Sequence, residues 1–172
     1  QLWSHNKQLK MTKQEVKDES KETDGRPEVK ARVRQLQREA SQRRMLEDVP
    51  QADVVITNPT HYSVALKYDA EGASAPIVVA KGADLIALKI RSIASEHEVP
   101  IYCEPPLARA IFGSTEIGDE IPAPLFLAVA RVLAYVFQLA RASATDYVPR
   151  PDAVPLPDGF DQFNNEGSLN GL

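Results

Sequence analysis

Two short β-branched runs, Val54-Val55-Ile56 and Ile77-Val78-Val79, constrain the fold of this chain more than any other feature. Each is continuously apolar yet far too short for a helix, so both are expected as strands covered on two faces. Ser63 to Tyr68 alternates between apolar and polar, and Val99 to Cys103 supplies a fourth candidate strand. Between Ile77-Val79 and Val99-Cys103, Asp84 to Glu98 carries Leu85, Ile86, Ile90, Ile93 and Ala94 as a helical stripe, with Lys89, Ser92 and Glu96 toward water. Pro105 can begin a short helix through Phe112, and Pro122 or Pro124 a long one through Ala140. This order predicts an α/β fold, a small mixed central sheet of about four strands surrounded by helices. A right-handed crossover is expected from Ile77-Val79 to Ile101.

The flanks differ in composition from this centre. Residues 1–50 are dense in Lys, Glu, Arg and Gln, and Val29, Val33, Leu36, Ala40 and Met45 give only a thin apolar stripe, as expected for a long charged connector helix. Gly25-Arg26-Pro27 marks a break and restart, because Pro27 fits a first helical turn. The cluster Lys30, Arg32, Arg34, Arg38, Arg43 and Arg44 suits anionic lipid or nucleic acid. The plainer alternative is a solvated helix offset by Glu28, Glu39, Glu47 and Asp48, and without interleaved aromatics no specific nucleic-acid partner is expected. Residues 146–172 hold Pro149, Pro151, Pro155 and Pro157 and then Gly, Asn, Gln and Ser, so a disordered tail is expected after the domain at 51–145. Phe160 and Phe163 are either a docking motif or incidental aromatics.

The 172 residues and net charge of −4 allow one compact domain with extensions. The lone Cys103 fits a reducing compartment, and three scattered histidines with one cysteine offer no metal spacing, so neither metal nor cofactor is expected. The first residue is Gln and no leader follows, so the chain reads as part of something longer. Only Ile121 to Ala140 approaches membrane-spanning length. Arg131 near its middle would cost roughly 2.5–3.5 kcal/mol in lipid, and a buried core helix is the reading preferred.

The chemistry concentrates at Asn58-Pro59-Thr60-His61, between the first two strands. Asparagine normally deamidates when the next backbone nitrogen attacks its side chain, and Pro59 forbids this because its nitrogen is fully substituted. The route left is attack by the Asn58 side-chain nitrogen on Asn58's own carbonyl carbon. It closes a succinimide, expels the proline nitrogen and cuts the chain between Asn58 and Pro59. In a free peptide the reaction is slow, but a clamped turn can supply proximity worth roughly 7–11 kcal/mol in favourable cases. His61 is a candidate for proton transfer or for holding the turn, and Thr60 for a hydrogen bond to the oxyanion or the loop. Read without this chemistry, Asn-Pro is a common turn opener.

The blocks NPTHYSVALKYD (Asn58–Asp69), PIVVAKGADLIALKIRSIASEHEVPIY (Pro76–Tyr102), EPPLARAIF (Glu104–Phe112) and EIGDEIP (Glu116–Pro122) occur in order. Together they resemble the cytoplasmic domain of the type III secretion export-switch family (FlhB/YscU/SpaS-like), in its flagellar branch, from about Asp53 to Ala140. The resemblance implies an inner-membrane protein whose cytoplasmic-face domain cleaves itself once, between Asn58 and Pro59, rather than acting as a turnover protease. Thr60 and His61 would complete the cleavage loop. The fragments would stay associated, and export would switch from rod- and hook-type to filament-type substrates. Implied partners are other export-gate components, a hook-length control protein and the export substrates. Ser63, Phe112 and Arg131 depart from the family pattern. Two other readings stand beside it. One is a docking module in which the tetrapeptide is only a turn, and the other a nucleotide-binding α/β domain using AKGAD (Ala80–Asp84) as a phosphate loop, although Gly82 is its single glycine.

Overall fold

The computed structural model describes residues 27–59, 61–69, 75–143, 146–151 and 156–160. Thr60, the first 26 residues of the expected connector and Phe163 lie outside them. The chain divides into two units, Gln1–Arg43 and Arg44–Leu172.

Helix α1, Pro27–Asp48, begins at the proline whose fixed dihedral suits a first helical turn. Up to Arg43 its side chains are exposed or nearly so, as its charge density requires. Strands β1 (Val54–Asn58), β2 (Tyr62–Lys67) and β3 (Ile77–Ala83) follow. Then come α2 (Asp84–Glu96), β4 (Ile101–Cys103), α3 (Pro105–Ser114) and α4 (Phe126–Arg141). The sheet is mixed, in the order β3-β2-β1-β4. β1 and β2 pair antiparallel, β2 and β3 antiparallel, and β1 and β4 parallel. It follows that β3 and β4 run in one direction on opposite edges, and α2 crosses from one edge to the other.

Strand periodicity sorts the core into two faces. Val54, Ile56, Val64, Leu66, Val78 and Tyr102 pack with Leu107, Ile111, Val129 and Val132 of α3 and α4. Val55, Ala65 and Ala80 face the other way, against Ile90 and Ala94 of α2 and Met45 and Val49. A bulge between Ala65 and Leu66 in the β2–β3 register lets Val79 and Ala80 share this second face, which returns Lys81 to the first. Ser63 is also on the α2 side. Its hydroxyl donates to the Ala87 carbonyl and accepts from Arg91 Nη1, both at 3.1 Å, so the polar residue is buried without an unmet bond.

Three sequence expectations change in detail. β1 and β3 run on to Asn58 and Ala83 because their partner β2 continues the ladder beyond the apolar residues. Leu85 is not inward. It is 82% exposed, and Ala87 takes its place among the buried side chains of α2. The tail is not wholly without structure in its described part. Leu156 and Phe160 pack against the α3–α4 face, and Arg150 stacks over the Tyr102 ring at 4.8 Å while donating to the Cys103 carbonyl. Tyr102 chiefly, with Cys103 and Glu104 nearby, raises the Arg150 pKa above its ordinary value. α4, with the turn before it, is long and apolar enough to cross a membrane by length and composition. Here it lays Ala128, Val129, Val132, Leu133 and Val136 on the sheet and turns Arg131 to solvent.

Candidate functional site

The β1–β2 connection is short, residues 59–61. Asn58 ends β1 opposite Tyr62, and the chain reverses through Pro59. The His61 N–H donates to the Asn58 carbonyl at 3.1 Å, closing a four-residue turn with proline at its second position, where a fixed φ is favoured. Asn58 is 8% exposed, whereas Pro59 and His61 face solvent. The carbonyl that cyclisation would attack is therefore already held by a backbone donor, and the side chain that would attack it is kept from bulk water.

Neighbouring elements hold this turn from two directions. On the β1 side, the Glu104 N–H donates to the Thr57 carbonyl at 3.1 Å, extending the parallel β1–β4 ladder to the residue before Asn58. On the β2 side, the Asp84 N–H donates to the His61 carbonyl at 2.8 Å. Tyr62, next in line, lies with its ring centroid 4.5 Å from that of Phe112. Lys81 Nζ sits 5.3 Å above the Phe112 ring and donates to the carbonyls of Phe112 at 3.2 Å and Thr115 at 2.8 Å. It also pairs with Glu116 at 3.1 Å. Lys81 thus caps the C-terminal end of α3, where free carbonyls favour a cation, and fixes the helix against which Tyr62 rests.

Of the four residues expected at the site, the structure joins Asn58, Pro59 and His61 in one turn. The His61 main chain makes two of these bonds, through its N–H and its carbonyl, and its ring centroid lies 6.2 Å from that of Tyr62. Tyr62, Lys81 and Asp84 escaped sequence reasoning, because their relation to the turn depends on strand register and on α2 and α3, both distant from it in sequence. Phe112, noted as a departure, fills the space between Tyr62 and Lys81 with its ring.

The phosphate-loop reading of Ala80–Asp84 meets a steric obstacle. Gly82 lies in β3, and a Cβ there would stand 2.3 Å from Ile86 Cγ2, so the first turn of α2 already fills the space an anion would need. Among the described residues no three His, Cys, Asp or Glu side chains gather as a metal site. A separate apolar groove of about 470 Å³ runs beside α4, where Ala75, Pro76, Ala130 and Ala134 leave room between Tyr68 and Phe126. No sequence signal announced it.

Comparison with known proteins follows the same lines. The model of the FlhB HrpN YscU SpaS Family matches residues 1–136. The chain is 54% identical to the flagellar biosynthetic protein FlhB of Salmonella typhimurium over 99% of its own length and 45% of that protein's. It is 50% identical to that of Bacillus subtilis, over 80% of this chain and 38% of the other. It therefore spans less than half the length of these relatives. The crystal structure of the cytoplasmic domain of FlhB from Shewanella putrefaciens superposes with a TM-score of 0.65 at 46% identity, covering 72% of this chain and 98% of that one. A mutant EscU C-terminal domain superposes with a TM-score of 0.51 at 26% identity, covering 54% and 98%.

Proposed function

The chain belongs to the FlhB HrpN YscU SpaS family, and from that premise and the geometry of the turn we propose that it is a flagellar type III export component that cuts itself between Asn58 and Pro59. One observation carries the reading: a nearly buried asparagine precedes proline with its carbonyl oxygen held by the His61 N–H at 3.1 Å. The Asn58 side-chain nitrogen forms a bond to the Asn58 carbonyl carbon and loses a proton. Negative charge then develops on the oxygen that His61 already contacts, and an aimed backbone donor is worth most at that point. Collapse breaks the bond to Pro59, whose nitrogen takes up a proton and becomes a free secondary amine. Asn58 is left as a C-terminal succinimide that water later opens. Thr60 is assigned a supporting hydrogen bond in the loop, and the His61 side chain either proton transfer or packing of the turn.

The cut leaves β1 between β2 and β4. Val54, Val55 and Ile56 are fully buried, at about 1.5–3 kcal/mol each, so fragments 1–58 and 59–172 stay together. The new amine and the loosened loop alter a surface and leave the core unchanged, which suits a one-way switch. In this proposal the switch moves export from rod- and hook-type to filament-type substrates, at the cytoplasmic face of the inner membrane. It acts together with other export-gate components and a hook-length control protein.

Intact mass under denaturing conditions, beside the Asn58→Ala variant, tests the chemistry. Two wild-type masses that sum to the intact chain, or to it plus one water once the succinimide opens, with a single mass for the variant, are expected. A single full-length mass for both after long incubation would leave the turn a docking feature.

A further inference from the structure

The Ala80–Asp84 stretch has no place in the chemistry above, yet its backbone meets the turn. Asp84 has φ +46°, in the left-handed region that few residues other than Gly, Asn and Asp enter. Among the described residues Glu98 is the other non-glycine with positive φ, and it comes just after His97, the C-cap of α2, where helices commonly close in this way. Asp84 is instead the first residue of α2, where no such habit exists. The Ala83 pairing with Tyr62 is the last in the β2–β3 register, and the Asp84 N–H adds one further rung to the His61 carbonyl at 2.8 Å. The chain must then leave the ladder and enter a helix within the same residue. It does so without a linker, and α2 folds back so closely that Gly82 has no room for a Cβ beside Ile86.

We propose that Gly82 to Asp84 form a corner that positions the cleavage turn, with Asp84 as the positioning residue. Its left-handed backbone lets the N–H stay on the ladder and hold the His61 carbonyl, while the chain turns away into α2. His61 is thereby fixed on both sides, and its own N–H stays aimed at the Asn58 oxygen. The uncommon backbone conformation lies one hydrogen bond from His61, which itself holds the Asn58 carbonyl, and backbone outliers of this kind cluster at functional sites. This assignment rests on the cleavage reading.

The test is a cell-free pulse–chase of the full 172-residue chain, with cut and uncut chains separated under denaturing conditions. The variants are Asp84→Gly, Asp84→Asn, Asp84→Ala and Asp84→Val. Thermal unfolding of each is followed in the Asn58→Ala background, where nothing is cut. Gly and Asn tolerate the left-handed region and should cut within about twofold of the parent, whereas Val should slow the cut about tenfold and Ala fall between. Rescue by Gly, which ordinarily weakens a helix, is the result that a merely structural role for the aspartate would not give. Equal rates in all four folded variants, or a Gly variant as slow as Val, would overturn the proposal while leaving cleavage intact. If the Val variant fails to fold, Ala against Gly decides: slower Ala supports the corner, and equal rates overturn it. A parent chain that never cuts removes the cleavage reading, and this role with it.

Discussion

Strand β1 and helix α1 show two opposite ways for a segment to hold its shape. β1 has five residues, Val54 to Asn58, and all are buried. α1 has 22, and its single buried residue, Met45, lies near its C-terminal end. The strand has almost no intrinsic stability and depends on ladders to β2 and β4 and on helices over both faces. The helix draws on local hydrogen bonds and exposed side-chain pairs such as Gln35 to Glu39 at 2.9 Å. A chemical event at the end of β1 can therefore act on a rigid scaffold, and burial rather than element length determines which substitutions matter.

The sharpest way to break this comparison is Ile56→Ala in the uncut Asn58→Ala background. Ile56 is fully buried among residues facing α3 and α4, and its truncation should cost about 2–5 kcal/mol in chemical denaturation. A loss below about 1 kcal/mol would mean that β1 is not the strand the core is built on. Lys81→Met should follow, at about 1–3 kcal/mol, because the Thr115 and Phe112 carbonyls lose a charged donor on a side chain only 15% exposed. It sharpens the comparison by asking whether support from α3 reaches the turn. Slower cutting in Lys81→Met at a temperature where it remains folded is expected if Tyr62 needs Phe112 to be fixed.

Much of β1 could be read from the chain because a β-branched run has few alternatives. Its extension to Asn58 could not, since Thr57 and Asn58 look like turn residues until β2 pairs with them. Lys81-Gly82 likewise reads as a loop, and the reach of Lys81 to Thr115 spans 34 residues. Chemistry singled out Asn58 and Pro59 because proline closes the competing route. The bonds made to the turn by Asp84 and Glu104, and within it by His61, come from backbone N–H groups, which leave no side-chain signature. Leu85 shows the limit of periodicity: the stripe pointed it inward, but the corner at Asp84 starts the inward face one residue later, at Ile86. In the tail, proline content argued for disorder, yet Leu156 and Phe160, four residues apart, still found apolar surface.

The smallest effect expected is on α1. Val33 is 47% exposed, with Val29 and Leu36 similarly open along the same stripe. Val33→Ser removes two methyl groups on a side chain already open to water and adds a hydroxyl that water can satisfy. The denaturation midpoint of the sheet unit should stay within the range expected for about 0.5 kcal/mol, with far-ultraviolet circular dichroism showing at most slight fraying, since Val and Ser have similar helix propensity. A loss above about 1 kcal/mol would break the comparison, because an exposed side chain has no burial of that size to give up. It would mean that the stripe is covered in solution, and that α1, like β1, depends on contacts made by its side chains.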